Sequence, residues 1–111
     1  MIKAKIKRII EKEYKNICRK QKGWRIKNLK PEILRPTVEK FGDYSCNIAF
    51  LIAQEKKKDP GQIAVFFKKR LEKNKDAQKL LAKIEIAGSG FLNFYLKKEF
   101  LQDELKKALK K

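Results

Sequence analysis

The run IEIAGSGFLNFYL, residues 84–96, carries the side chains best placed to do chemistry: Phe91, Asn93 and Tyr95. Around its Gly-Ser-Gly turn, Ile84, Ile86, Leu92, Phe94 and Leu96 fall on one face of a hairpin. Lys83, Glu85, Phe91, Asn93 and Tyr95 fall on the other. A half-buried hairpin needs one apolar face, so two rings and an amide on the second face need another reason. An exposed ring is a stacking platform worth about 1–3 kcal/mol per base. An Asn amide both donates and accepts toward a base edge. Recognition of unpaired RNA bases is one reading of this face; coverage by a further element is the other. Periodicity does not choose between them.

A second stretch, FGDYSCNIAFLIAQ from Phe41, joins polar and aromatic residues to a predicted helix start. Gly42 allows a tight turn, Asp43 is placed to cap the helix, and Tyr44 and Asn47 fall in its first turn. Free backbone N–H groups there suit a phosphate or a nearby base, and plain capping explains the same residues without a ligand. Trp24, between Lys22 and Arg25, suits base stacking or a core anchor.

The charge points the same way as the rings. Thirty Lys and Arg against 13 Asp and Glu give a net +17 and a pI near 10.0, which attracts polyanions. Only five of the basic residues are Arg (Arg8, Arg19, Arg25, Arg35, Arg70), so point-charge contact with phosphate is favoured over bidentate base reading. The chain has no histidine, which excludes His-based triads and acid–base catalysis and makes zinc improbable. Cys18 and Cys46 lack partner motifs and read as reduced, packed thiols of a cytoplasmic protein. The Asp and Glu residues mostly sit beside Lys at helical spacing, where ion pairing is expected. No Walker loop, signal-peptide core or membrane-length apolar run is present.

At 111 residues the chain is one domain's worth. Ile2, Ile6, Ile9, Ile10 and Ile17 predict an amphipathic helix over 2–18, ended by Gly23. WRIKNL and EILRPTV are candidate strands, the second limited to an edge by Pro36. A second helix is expected from Tyr44 to Lys57, burying Ile48, Leu51 and Ile52. A third opens with Asp59 as N-cap, Pro60 at the first position and Gln62 at capping-box spacing, and buries Ile63, Phe66, Phe67 and Leu71. A short helix follows at 76–81, then the hairpin. A final one over 97–110 carries Leu101, Leu105 and Leu109. The expected fold is α+β: a small antiparallel sheet with helices packed on one face.

FGDYSCNIAFLIAQEKKKDPGQIA, followed by IEIAGSGFLNFYL, resembles the N-terminal additional domain of arginyl-tRNA synthetase. The shared marks are a Gly-Asp-Tyr, two small residues, Asn segment, then a Pro-x-x-Ile-Ala helix start, then a Gly-x-Gly-aromatic-x-Asn-Phe hairpin. The resemblance covers Phe41 to about Leu96 and departs at Ser89, where many bacterial members carry proline. It implies a domain that binds the D-loop at the outer corner of tRNA(Arg). Phe91 would stack on a D-loop base and Asn93 would hydrogen-bond it; Tyr44 and Asn47 would join the tRNA-binding set or brace the hairpin.

The same resemblance implies a fragment of a class I arginine-tRNA ligase, monomeric, and followed in the parent enzyme by a catalytic domain that holds ATP and magnesium. Without histidine this chain cannot carry the His-Ile-Gly-His signature, so no catalytic, cofactor or metal site is expected in it. A generic basic RNA- or ribosome-binding module and a protein-interaction domain are the alternatives.

Overall fold

Strand alternation and helix stripes converge on one layer boundary in the computed structural model, which describes residues 2–36 and 42–100. Helix α1 (Ile2–Lys20) is followed by a single 3-10 turn (Lys22–Trp24), β1 (Ile33–Leu34), β2 (Tyr44–Cys46) and α2 (Ile48–Lys56). After these come α3 (Pro60–Glu72), α4 (Lys75–Leu80), β3 (Leu81–Ala87) and β4 (Phe91–Leu96). The four strands form one sheet in the order β1-β2-β4-β3, every neighbouring pair antiparallel. This is the expected α+β arrangement.

The hairpin register is the one the alternation predicts. Ile84 pairs with Phe94, Ile86 with Leu92, Glu85 with Asn93 and Ala87 with Phe91. Leu92 and Phe94 are fully buried, in one core with Ile10, Ile48, Ile52, Ile63 and Phe67. Helix α3 opens at Asp59 and Pro60 as predicted, though Gln62 does not close the capping box. The Asp59 carboxylate accepts the Gly61 N–H at 3.1 Å, and Pro60 occupies the first turn, where its missing donor costs nothing.

Three expectations need correction. The helix expected from Tyr44 begins only at Ile48, and Tyr44–Cys46 is a strand between β1 and β4. Tertiary pairing overrides local propensity here. Asp43 does not cap α2: its N–H donates to the Phe94 carbonyl at 2.8 Å and its carboxylate accepts the Leu96 N–H at 2.9 Å, carrying the ladder past β2. Gly42 is required just before it. Its φ is +90°, and a Cβ there would stand 2.9 Å from the Phe94 carbonyl oxygen.

WRIKNL forms no strand. The Tyr14 hydroxyl donates to the Trp24 carbonyl and accepts the Ile26 N–H at 2.7 Å, so a side chain takes the backbone groups a ladder would need. EILRPTV keeps only Ile33–Leu34 as strand up to Pro36, and residues 37–41 lie outside the described residues. Of the final helix, residues 98–100 are helical and 101–111 lie outside the described residues.

In α1 the buried positions are Ile2, Ile6, Ile10, Glu13, Ile17 and Cys18, so a carboxylate stands in the apolar stripe. It is matched by Arg70 Nε at 3.3 Å and by Asn74 Nδ2 at 2.7 Å. Trp24 packs edge-on to Phe66, ring centroids 5.1 Å apart, and joins the core margin. Burial pushes the Cys46 thiol up to about 12, leaving it a packing group and not a nucleophile.

Candidate nucleic-acid interface

The hairpin tip is fixed by one left-handed turn residue and one close approach. Gly88 takes a positive φ of 57°, which turns the chain, and Gly90 lies against the start of α3. A Cβ on Gly90 would come within 2.9 Å of the Pro60 side chain, so only glycine lets β4 begin there. The first residue after this contact is Phe91. Its side chain leaves the sheet on the face away from Leu92 and Phe94, and it remains 40% exposed. On one flank Phe50 of α2 meets it edge to face, with ring centroids 4.6 Å apart and an interplanar angle of 61°. Such a contact orients a ring while leaving most of its face open.

Asn93 follows on the same face, between Ser45 of β2 and Glu85 of β3. At 3% exposure it is far more enclosed than Phe91. Tyr95 completes the row half-buried. Its hydroxyl donates to Glu85 at 3.3 Å, and Lys83 Nζ lies 4.4 Å from the ring centroid and 3.1 Å from the Glu85 carboxylate. Lys83 holds the Glu85 carboxyl below the usual carboxylate range, while lost hydration and the nearby Glu85 charge push the Tyr95 phenol up. The Glu85 carboxylate beside this row is therefore matched by a lysine. A ring, an amide and a second ring follow one another along β4.

Tyr44 and Asn47 stand elsewhere. Tyr44 pairs across the strands with Phe94, so it lies on the helix-covered face, 5% exposed, with the Arg35 guanidinium carbon 5.6 Å from its ring centre. Asn47 precedes α2, but its side chain does not cap the helix. Its Oδ1 accepts the Glu32 N–H at 3.0 Å, tying the approach to β1 onto the α2 start. Of the four sequence candidates, the sheet brings Phe91 and Asn93 onto one face and sets Tyr44 and Asn47 behind and beside them. Phe50 was missed. Its signal was an aromatic on α2 outside the Ile48-Leu51-Ile52 stripe, at a position where packing alone asked for nothing. Ser45 was missed too: it is the small residue that sits across from Asn93.

Among the described residues, no helix is long and apolar enough to cross a membrane. The family model described as the arginyl tRNA synthetase N terminal domain matches residues 2–96. An arginine–tRNA ligase of Prochlorococcus marinus is 42% identical over 74 residues, covering 67% of this chain and 12% of that protein. One from Listeria monocytogenes is 48% identical over 75 residues, covering 66% and 13%. The chain thus spans about an eighth of the length of the curated relatives it matches. Among solved structures, the arginyl-tRNA synthetase of Thermus thermophilus superimposes with a TM-score of 0.70 at 25% identity, over 94% of this chain and 15% of that one. The Plasmodium falciparum arginyl-tRNA synthetase shares the fold, with a TM-score of 0.68 at 23% identity over 96% and 18%. Gly42, Asp43 and the Gly88–Gly90 turn, which carried the resemblance in sequence, are the positions where backbone geometry sets the sheet. The chain belongs to the arginyl tRNA synthetase N terminal domain family.

Proposed function

We propose that the chain is a tRNA-recognition domain that binds the D-loop at the outer corner of tRNA(Arg), and so supports attachment of arginine to tRNA by a cytoplasmic synthetase. The observation that carries this reading is the Phe91 ring, two-fifths exposed at the rim of the sheet and steadied by Phe50. An unpaired base stacks on that ring. Asn93 lies two residues along the strand, about 6.6 Å away by strand rise, so a base on Phe91 extends over the amide and its edge is read there. Tyr44 and Asn47 act from behind, holding β2 and the α2 start in register with β4. The net charge of +17 draws the tRNA in. Contact with about four phosphates gives a log–log salt slope near −3. ATP and magnesium chemistry belongs to the catalytic portion of such an enzyme and asks nothing of these residues.

The test is Phe91→Ala. Losing one stack costs about 1–3 kcal/mol, so the Kd for tRNA(Arg) rises roughly 5–150-fold. In a synthetase carrying the substitution, KM for tRNA rises while arginine activation is unchanged. The effect vanishes with a tRNA whose D-loop is altered. A Phe91→Ala chain that binds both tRNAs as the parent does would remove the ring from the site.

A further inference from the structure

At the opposite end of the sheet from the Gly-Ser-Gly turn, α1 and α4 enclose a groove of about 450 Å³. Lys5, Arg8 and Lys12 of α1 line it from one wall and Lys79 of α4 from the other, with Phe100 among its apolar lining. Residues 5, 8 and 12 recur at spacings of three and four, which stacks their side chains on one helix face. All four cations are exposed. Among the described residues, none of the four reaches a carboxylate within ion-pair distance. Among the described residues Asp76 is the one carboxylate in the lining, and the inward Glu13 of α1 is taken by Arg70 and Asn74. Four cations lining one groove, without an ion-pair partner among the described residues, repel one another in the free protein and attract a polyanion.

We propose that the α1–α4 groove is a second RNA contact, a seat for the sugar-phosphate backbone separate from the Phe91 platform. Lys79 lies two residues before the first residue of β3, whereas Phe91 pairs with Ala87 at its last. Six strand steps make that separation about 20 Å. An RNA that meets both places must be folded, with phosphates presented well away from the stacked base. The groove supplies affinity and orientation without reading sequence, as phosphate contacts do. The proposal rests on the RNA-binding reading for its ligand, and not on the D-loop being the part read at Phe91.

The experiment replaces Lys5, Arg8 and Lys12 together by Gln in the 111-residue chain and measures the affinity for tRNA(Arg) transcripts across salt concentrations. Each lost phosphate contact removes roughly 0.7–0.9 from the log–log slope, so the expected slope is shallower by about 2 to 3. The preference for an intact over an altered D-loop is expected to be unchanged. A matched chain loses the exposed lysines Lys3, Lys7 and Lys30, which line none of this groove, and is expected to keep most of the slope. Equal losses in the two chains would mean that net charge alone is at work and would overturn the groove. An unchanged slope in the groove variant would overturn it as well, and leave the cations to an acidic protein surface. If neither chain distinguishes intact from altered D-loop while only the groove variant loses slope, the D-loop reading fails and the groove stands. Thermal unfolding of each variant checks that the exposed substitutions leave the fold intact.

Discussion

The Gly42–Asn47 segment and the hairpin tip both flank β4, and each offers an aromatic with a nearby amide, yet the fold uses them in opposite ways. At the tip, Phe91 leaves the sheet on the face opposite Leu92 and Phe94 and keeps two-fifths of its surface in solvent. In β2, Tyr44 pairs with Phe94 and is sealed beneath the helices. One strand step separates a residue on the open face from one on the core face. What differs between the two aromatics is therefore register. The amides differ for another reason: Asn47 lies outside the strand and is committed to the Glu32 backbone, and Asn93 lies in the sheet between Ser45 and Glu85. Residue type proposed four candidates; register set the sheet face that Tyr44, Phe91 and Asn93 take, and of these three Phe91 is the exposed one.

That contrast can be broken most severely at Tyr44. Truncating a buried aromatic costs about 3–5 kcal/mol, so Tyr44→Ala should unfold at markedly lower denaturant. Phe91→Ala, whose ring is half in water, should lose about 1 kcal/mol or less while losing its RNA affinity. Similar midpoints for the two variants would erase the distinction between brace and platform. Gly42→Ala comes next. Its φ of +90° and the 2.9 Å approach to the Phe94 carbonyl put the expected loss at about 1–3 kcal/mol. The same exchange at exposed Gly23, where a Cβ meets nothing within 4 Å, should be close to neutral. Asn47→Ala should show the smallest effect, about 1 kcal/mol for one lost hydrogen bond that leaves the Glu32 N–H open to water. If it instead weakens tRNA binding at unchanged stability, Asn47 belongs with Phe91 and the division drawn above is too simple.

The hairpin was legible in sequence because its alternation is strict and its glycines mark the turn, so its register could be written down before the fold was known. The placement of Phe91 and Asn93 on the face opposite Leu92 and Phe94 followed from that alone. The enclosure of Asn93 did not, since exposure depends on the strands on either side. Tyr44–Cys46 read as the opening of a helix because three residues are too few to show a period of two. The strand forms through its pairing to β4 and through Asp43, whose partners lie 51 to 53 residues away in sequence. Trp24–Leu29 had strand-forming composition, but Tyr14 claims two of its backbone groups, a contact no local pattern announces. Glu13 was open to detection. It stands in the 2-6-10-13-17 stripe, and a carboxylate in such a stripe asks for a partner, here supplied from the far end of α3.

That carboxylate also bears on the order in which the chain assembles. Arg70 and Asn74 are 57 and 61 residues from Glu13, so the contact closes a loop of more than half the chain and gives nothing back until α3 and the α3–α4 junction are in place. The N-terminal helix is therefore latched late. Weakening the latch, as in Glu13→Gln, is expected to speed unfolding more than it slows folding, and the helix it holds is one wall of the basic groove.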